Sequence, residues 1–558
     1  MATLGTGSLT TSPIHLGSDG GLVAAFTNAY LNIMQELISY ETPGQAVFGN
    51  KGNLVEWGKG VTATFPTRKP ARRGIVGDIT NRVGRIPRGG NPTYSMAQFE
   101  AMTHRLAINF DWNAMNTASN ERYVANLVKN ALSDIKQQWN RRQNIWLYGG
   151  EISNPNRDSL KNGDTTVIQT MCDANSNTIG DGCVAVVCAT LAAGNKDLKV
   201  RLPISFGEVA GDQLTETGTV QAGAQWLEPG DYISIVNLTT GLAEYAQIET
   251  ITRNYKSVSS GDTGPTVGAD GFATLTLASV TRATHNAYQW AGSDGDASDD
   301  EGSIIHLASP TAASDAVITL AGATPTQLQD SDISGAYPGF GSITGPIHKN
   351  KTSDFAGGVG VRPYLGVTND QYWSSEVLNF SNFAGSGDNK FLSMDFLVLD
   401  RVLHQIKALH HRRPDCLFMN PQVWMEWVSE SHTNHAFRNA GSITPRPGKR
   451  GDPGDSGAGV PVNLTYESIE AVTGVGTMQV IVDPYCPAYT MYAVNKGDVG
   501  YMERFPMSMA TDDGSEFRFP SESLDKLEAF MRVVSTFVAL HPASVNKITG
   551  IATDTPVL

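Results

Sequence analysis

The amino-acid sequence predicts an α+β fold built from one long helix, a β-rich middle region and a final region of alternating helices and strands. Three observations predict it. Apolar residues recur at helical spacing over 120–148, short apolar runs alternate with turn residues over 151–350, and helix and strand signals alternate over 394–428. A chain of 558 residues is long enough for about two to four domains. We divide it into five segments: 1–50, 51–112, 113–150, 151–350 and 351–558.

The first segment, 1–50, predicts a flexible arm followed by one helix. Residues 1–21 are rich in Gly, Ser and Thr, and they lack both the basic start and the apolar core of a signal peptide. Residues 22–40 carry apolar side chains at helical spacing, and Pro43-Gly44 ends that pattern. No stretch of the chain reaches 18 consecutive apolar residues, so we expect no transmembrane helix.

The second segment, 51–112, predicts an extended basic hairpin. Apolar and polar residues alternate from 61 to 65, and a second strand-like run follows near 104–110. From Arg68 to Arg88, Asp78 is the only acid among seven cations: Arg68, Lys69, Arg72, Arg73, Arg82, Arg85 and Arg88. A hairpin with so few apolar residues cannot form a core of its own, so we expect these cations to contact a neighbouring subunit. The alternative is a solvated loop of a monomer.

The third segment, 113–150, contains the helix predicted with the most signals. Ser119 or Asn120 can cap it, and Gly149-Gly150 ends it. At 1.5 Å per residue, the stretch from 120 to 148 would be roughly 43 Å long. One face of this helix carries the apolar stripe Val124, Val128, Ala131, Ile135, Trp139 and Trp146. We expect other elements to pack along it.

The fourth segment, 151–350, predicts an acidic β-rich insertion. It holds 9 basic and 23 acidic residues, a net charge of −14, whereas residues 1–150 carry +6 and residues 351–558 carry −6. Short strands are predicted at 231–237, 272–278, 303–307 and 316–320. The absence of a strong amphipathic pattern favours a compact β-barrel or β-sandwich.

The fifth segment, 351–558, begins with a series of local packing signals. Trp373 lies in a polar turn, Ser393 is placed to cap a helix over 394–411, and Pro414 ends that helix. Its buried face is predicted to be Leu399, Val402, Leu403, Ile406 and Leu409.

The same segment continues with a strand at 417–419 and a second helix, for which Asn420 is the cap and Pro421 the first residue. Residues 441–461 are rich in Gly and Pro and predict an irregular loop. The closing strands are predicted at 479–482, 489–494 and 529–538.

Two stretches imitate catalytic motifs. The tetrapeptide at 454–457 matches the nucleophile motif of trypsin-like proteases, but it lies in the Gly/Pro-rich loop and lacks the other parts of such a site. The stretch 52–60 nearly matches a phosphate-binding loop, but Gly60 replaces the Ser or Thr that would hold magnesium, and a strand pattern follows. We interpret it as a turn before a strand and expect no catalytic or cofactor site.

Metal sites are not predicted either. The acidic residues within 294–301 do not match an EF-hand loop, so a solvated turn is favoured over an irregular calcium site. Five cysteines occur without any C-x-x-C pair, which favours free thiols in a reducing compartment. The remaining candidates are histidines at helix ends or on the surface: His404, His410, His411, His432 and His435.

The order of these elements resembles the major capsid proteins of tailed bacteriophages, which have the HK97-like fold. Specific similarities are the Trp373 turn before the helix, Pro414-Asp415 leading into Asn420-Pro421, and Val482-Asp483-Pro484 before Ala488-Tyr489. The resemblance implies an N-terminal arm (1–50), an extended loop (51–112), a spine helix of the peripheral domain (113–150), an inserted domain (151–350), and the rest of the peripheral domain with the central axial domain (351–558).

The resemblance implies a structural protein rather than an enzyme. Copies would form pentamers and hexamers of the icosahedral head shell, which encloses a double-stranded DNA genome without sequence-specific binding, in a virion assembled in the host cytoplasm. Implied partners are a separate scaffolding protein, a portal and a possible decoration protein, without a membrane or cofactor. Two alternatives stay open: an encapsulin-type compartment shell, and a β-rich enzyme, for which we find no pair of catalytic carboxylates.

Overall fold

The computed structural model describes about half of the chain, mainly its strands, the long helix before Gly149 and the helices between 340 and 433. The predicted arm and the helix at 22–40 lie outside the described residues. The described residues are 42–48, 51–58, 62–69, 93–111, 121–149, 183–202, 224–237, 242–253, 273–288, 302–308, 317–319, 339–344, 365, 367, 373, 375–384, 391–410, 412–433, 444–445, 469–473, 476–509, 517–518 and 526–552.

Six α-helices, two short 3-10 helices and 21 strands occur in the described part. The helices are α1 (Pro43–Val47), α2 (Glu121–Tyr148), α3 (Phe340–Thr344), α4 (Phe380–Ala384), α5 (Phe396–His410) and α6 (Pro421–Thr433). The strands are β1 (Glu56–Trp57), β2 (Thr62–Lys69), β3 (Thr93–Glu100), β4 (Met102–Asp111), β5 (Cys183–Val187), β6 (Asp197–Arg201), β7 (Tyr232–Asn237), β8 (Leu242–Arg253), β9 (Ala273–Leu277), β10 (Ser303–Leu307), β11 (Val317–Thr319), β12 (Val377–Asn379), β13 (Cys416–Met419), β14 (Thr444–Pro445), β15 (Ile469–Thr473), β16 (Gly476–Val482), β17 (Met491–Val494), β18 (Val499–Met509), β19 (Phe517–Arg518), β20 (Lys526–Ala539) and β21 (Val545–Thr549). No helix among these is both long and apolar enough to cross a membrane.

The predicted hairpin forms, but with a different second strand. β2 pairs antiparallel with β3 from Thr62↔Glu100 to Lys69↔Thr93, and β1 adds a short third strand to β2. The run at 104–110, which the sequence suggested as the second strand, belongs to β4 and pairs with β20 in another sheet. Only residue 101 separates β3 from β4, so the chain changes sheets within one residue.

The spine helix forms as predicted and packs on β4. α2 begins at Glu121 and ends at Tyr148, directly before Gly149. The ring of His104 on β4 lies 4.7 Å from that of Trp139 and 5.4 Å from that of Trp146, both buried on α2. Burial, with a smaller effect from Arg142, lowers the pKa of His104 to about 3, so this residue behaves as a neutral core aromatic. β4, β18 and β19 together with β20 form the sheet beneath the helix.

The middle part of the chain forms a closed β-barrel. The antiparallel pairings run in the order β8, β7, β10, β5, β6, β9, and β9 pairs back with β8 to close the ring of six strands. β11 adds to β8 outside the ring. Closure leaves the six strands without a free edge. The four predicted strands correspond to β7, β9, β10 and β11, whereas β5, β6 and β8 were not predicted.

The last sheet is mixed and separates two apolar layers. Its order is β12, β21, β17, β13, β16, β15, β14, with parallel pairs β12–β21 and β13–β16. On β13, Leu417 and Met419 face helices α5 and α6, whereas Cys416 and Phe418 face the core shared with α2 and the barrel. The two-residue period of the strand therefore lets four buried residues serve both layers.

The two helices on this sheet follow the sequence prediction, apart from one cap and from Leu409, which is only half-buried. Leu399, Val402, Leu403 and Ile406 of α5 are buried, and the side-chain oxygen of Asn420 accepts the backbone N–H of Gln422 at 3.0 Å at the start of α6. The predicted cap of α5, Ser393, is wrong. The helix begins later, at Phe396, so the capping residue is Asp395, whose carboxylate accepts the N–H of Leu397 at 2.7 Å.

Removing a core side chain from α5 should destabilise the subunit. Leu403 is fully buried between the helix and the sheet. We expect Leu403→Ala to lower the free energy of unfolding by about 2–5 kcal/mol, because burial is lost and a cavity remains. Denaturant unfolding of the unassembled chain measures this change. Leu397→Ala on the same helix is the control, since Leu397 is 60% exposed. Equal losses in the two variants would contradict the assignment of the buried face.

Candidate subunit interface

The predicted contact cations fall at the end of the hairpin. Arg68 is exposed near the end of β2, opposite Tyr94 of β3, and Lys69 lies opposite Thr93. The other five, Arg72, Arg73, Arg82, Arg85 and Arg88, lie outside the described residues. The hairpin therefore presents at least one of the predicted cations to solvent.

One face of the hairpin is buried and the other is open. Ala63, Phe65, Ala97 and Phe99 are buried, and the rings of Phe65 and Phe99 lie 6.5 Å apart. The opposite face bears the cross-strand pairs Pro66↔Met96 and Arg68↔Tyr94, all exposed, with Tyr94 at 65% and Met96 at 58%. We call these four residues, Pro66, Arg68, Tyr94 and Met96, the hairpin patch.

The outer edge of β3 also has backbone groups available. The N–H of Gln98 points away from β2, because it donates to the carbonyl oxygen of Leu365 at 2.9 Å. Since alternate residues of a strand face the same edge, the backbone groups of Tyr94 and Met96 point to this side as well. Among the described strands, none pairs with β3 on this edge. The edge is therefore a place where another strand could add.

Pro66 on β2 lies at a position where the missing N–H of proline breaks no hydrogen bond of the hairpin. Met96 lies two residues from Gln98 on β3, so its backbone N–H points to the same outer edge as that of Gln98. Pro66 and Met96 are therefore a non-hydrogen-bonded pair of the antiparallel ladder. A proline at this position therefore removes no hydrogen bond between β2 and β3. β1 reaches β2 only at Ala63 and Thr64, so Pro66 lies beyond it.

A second exposed apolar surface lies where the hairpin meets β18. Leu54 is 57% exposed and Phe505 is 50% exposed. The guanidinium carbon of Arg504 lies 5.8 Å from the ring centre of Trp57 and 5.5 Å from that of Phe505, and this side chain donates to the carbonyl oxygen of Gly58 at 3.1 Å. We call Leu54, Trp57, Arg504 and Phe505 the base patch. The acidic Glu56 is exposed beside it.

Lys51 fixes the chain below the base patch. Its backbone N–H donates to the carbonyl oxygen of Tyr501 at 2.7 Å, and its ammonium donates to the carbonyl oxygens of Lys496 and Gly497. Burial lowers the pKa of Lys51, partly opposed by Asp498 and Asp415. These bonds hold the turn before β1 against the start of β18.

The barrel is attached to the spine helix by a buried ion pair. Both terminal nitrogens of Arg141 on α2 donate to the carboxylate of Asp231, at 3.0 and 2.8 Å, and one also donates to the carbonyl oxygen of Trp226. Such a two-point contact fixes orientation as well as distance. Gln225 and Trp226 in turn donate to backbone carbonyls of the loop after β16, at Pro484, Tyr485 and Cys486.

The sequence motifs that imitate catalytic or metal sites have ordinary structures where they are described. Gly52–Leu54 is a short 3-10 turn followed by strand β1, as predicted for the stretch that resembles a phosphate-binding loop. His404 is exposed on α5. Within the described ranges no group of three or more potential metal ligands occurs. The tetrapeptide at 454–457, the acidic run at 294–301, His411 and His435 lie outside those ranges.

Sequence reasoning missed most residues of both patches. Tyr94 and Met96 belong to a strand that was not predicted, because the apolar residues of 93–100 change phase between Met96 and Ala97 and give no continuous alternation. Arg504 and Phe505 lie far from Trp57 in the chain, and no local pattern connects them. The buried pair of Arg141 and Asp231 was missed for the same reason.

Comparisons with known proteins found similarity only among solved structures. No family model and no curated protein matches the sequence. A structure described as the cyanophage A-1(L) capsid asymmetric unit is 10% identical, with 93% of this chain and 96% of that chain covered and a TM-score of 0.40. A structure from Mycobacterium phage Patience is also 10% identical, covering 95% and 86% with a TM-score of 0.28. These are low similarities, so the function is argued below from the residues of this chain.

Breaking the ion pair between Arg141 and Asp231 should lower the free energy of unfolding. Arg141→Met leaves Asp231 and the carbonyl of Trp226 without their buried donor. We expect a loss of about 3 kcal/mol in the free energy of unfolding, because one partner of a mostly buried pair is removed. Arg142→Met is the matched control, since the half-buried Arg142 lies 5.7 Å over the ring of Trp146, a contact worth about 0.5–1 kcal/mol. Thermal or denaturant unfolding compares the two, and equal losses would contradict the attachment.

Proposed function

We propose that this chain is the major capsid protein of a tailed bacteriophage, with an HK97-like fold. In this proposal, many copies assemble into the icosahedral head shell that encloses the double-stranded DNA genome of the virion. The observation that carries it is the hairpin. It exposes Tyr94 and Met96, together with an edge of β3 that no described strand covers, where a second copy could pack.

The exposed apolar residues support assembly rather than a monomeric function. Seven large hydrophobic residues are exposed in the described part, and four of them belong to the hairpin patch or the base patch: Leu54, Tyr94, Met96 and Phe505. Large apolar side chains clustered on the surface are typical of interfaces. We infer that the hairpin patch of one copy covers the base patch of the next.

A contact between two different patches generates rings. Because the hairpin patch and the base patch are different surfaces, the contact is head-to-tail, and it closes into a ring when the rotation allows. Pentamers and hexamers are such rings. Each contact can be modest, since a closed shell forms many of them at once.

The distribution of charge supports the pairing of these two surfaces. The net charge supports the proposed contents of the shell. The basic stretch from Arg68 to Arg88 suits an acidic neighbour, such as the exposed Glu56 beside the base patch or the −6 segment 351–558. The chain as a whole carries −14, which disfavours tight non-specific binding of DNA. DNA could then move freely during packaging. A scaffolding protein, a portal and a decoration protein remain proposed partners.

Electron microscopy of the full-length expressed protein tests this proposal. We expect closed shells, or rings and sheets of subunits when a scaffolding protein is missing. A folded chain that stays monomeric at high concentration, in analytical ultracentrifugation with and without crowding agents, would overturn it. Shells that package a cargo enzyme instead of a genome would favour an encapsulin-type compartment.

Polar substitution in the hairpin patch should block assembly without unfolding the subunit. We expect the double variant Tyr94→Ser with Met96→Ser to raise the protein concentration needed for assembly at least tenfold, because two exposed apolar anchors are removed from the contact. Light scattering measures that threshold, and circular dichroism checks the fold.

Val280→Ser is the control for that experiment. Val280 is 49% exposed, but it lies outside both patches, in the segment after barrel strand β9. Its assembly threshold should equal that of the unaltered chain. An unchanged threshold in the double variant would exclude the hairpin patch from the interface.

A further inference from the structure

A buried carboxylate lies where three distant parts of the chain meet. Asp483 follows β16 and is fully buried. It contacts Gly44 in α1 and both Asn144 and Tyr148 at the end of α2. The residue therefore joins the central mixed sheet, the spine helix and the short helix through which the N-terminal segment enters the described structure.

All the described polar contacts of the Asp483 side chain are donors to its carboxylate. Oδ2 accepts the backbone N–H of Gly44 at 2.9 Å, the hydroxyl of Tyr148 at 2.9 Å and the side-chain amide of Asn144 at 3.1 Å. Oδ1 accepts the backbone N–H of Tyr485 at 2.9 Å and the same amide at 3.1 Å. A set of donors alone matches an ionised carboxylate, which is the stronger acceptor.

The contact from the backbone N–H of residue 44 requires glycine at that position. A Cβ atom at residue 44 would lie 2.3 Å from Oδ2 of Asp483 and 2.8 Å from the hydroxyl oxygen of Tyr148. Any other residue would push α1 away from the carboxylate. The backbone N–H of residue 44 reaches Asp483 only because residue 44 has no side chain.

The groups around the carboxylate include no adjacent described cation. α2 contributes Tyr148 and Asn144, α1 contributes the backbone of Gly44, and the loop contributes Tyr485 and Cys486. On the neighbouring strands, Tyr492 of β17 interacts electrostatically with Tyr148, and Lys547 of β21 interacts electrostatically with Cys486. The charge of Asp483 is thus held by hydrogen bonds and not by an ion pair.

We propose that Asp483 is a proton-operated latch that holds the N-terminal segment at Gly44 onto the spine helix. In the closed state the ionised carboxylate binds the N–H of Gly44. In the open state a proton from solvent has bonded to Oδ2, the new O–H donates to the hydroxyl oxygen of Tyr148, and the O–H of Tyr148 has turned away. The neutral Oδ2 is a weaker acceptor, so the attachment of Gly44 loosens.

The pKa of Asp483 supports a transition at mildly acidic pH. Burial raises the pKa of Asp483 from 3.8 to about 6, although its hydrogen bonds from Tyr485, Tyr148, Asn144 and Gly44 act in the opposite direction. Because the pKa in the folded chain is the higher one, the folded chain takes up the proton more readily than the unfolded chain. This group therefore favours folding more as pH falls from 6 towards 4, and less as pH rises through 6.

The latch thus has a signature that simple acid denaturation lacks. Protonation of Asp483 at low pH should raise the free energy of unfolding of the whole chain. The same protonation should weaken the hydrogen bond from the backbone N–H of Gly44. A buried carboxylate with only a structural role would not change the protection of Gly44 separately from the stability of the fold.

Hydrogen exchange of the Gly44 amide in the unassembled full chain tests the latch. After correction for the intrinsic exchange rate, we expect its protection to fall about tenfold between pH 7.5 and pH 5, since a charge-assisted bond becomes a neutral one. In Asp483→Asn the protection should be low at both pH values, while the melting temperature at pH 7.5 is unchanged or higher. Equal protection at the two pH values in the unaltered chain would overturn the proposal.

Two further variants make the result decisive. Asp395→Asn keeps a good helix cap far from the latch, so it should retain the pH dependence of the unaltered chain. Tyr148→Phe removes a bond that lowers the pKa of Asp483, so the transition should move to higher pH. If Asp483→Asn fails to fold, an unmoved transition in Tyr148→Phe still overturns the latch. Neither readout depends on whether the chain forms shells.

Discussion

The loop that follows β16 is the constraint on which the arrangement of this protein depends. Asp483 binds the spine helix and α1, and the carbonyls of residues 484–486 receive donors from Gln225 and Trp226 of the barrel region. Asn420 at the start of α6 donates to the carbonyl of Cys486 at 2.8 Å. A stretch of four residues thus positions four elements, and burial makes each of its hydrogen bonds costly to lose.

Aromatic rings pack together in the apolar core of this region. Phe418 of β13 contacts Phe340 of α3 with ring centres 5.3 Å apart; Phe48 packs against both rings, and Phe537 packs against Phe340 and Phe48. On the other side of the sheet, α5 and α6 bury a separate layer with Trp424 and Trp427. The sheet therefore packs an apolar layer on each of its faces.

The way these surfaces are held agrees with the shell-forming role that we propose. The base patch is held by Lys51 and Arg504, whose bonds reach backbone carbonyls on either side of it. The barrel is closed on itself and fixed by Arg141, so its strands offer no edge for unwanted pairing. Unlike the six strands of the ring, β3 has an edge that no described strand covers, and this edge adjoins the exposed Tyr94 and Met96.

The sequence by itself determined the elements that depend on local physics. Helices α2, α5 and α6 follow from apolar spacing, from Asn420 as a cap and from Gly149 and Pro414 as stops, and strands β7, β9 and β10 follow from short apolar runs between turns. Tertiary structure alone decided that β2 pairs with β3 while β4 pairs with β20, that β9 closes the barrel on β8, and that Asp483 meets Gly44 at a separation of 439 residues. The reason is that caps and periodicities act within a few residues, whereas strand partners and buried polar contacts depend on which distant surfaces can exclude water together.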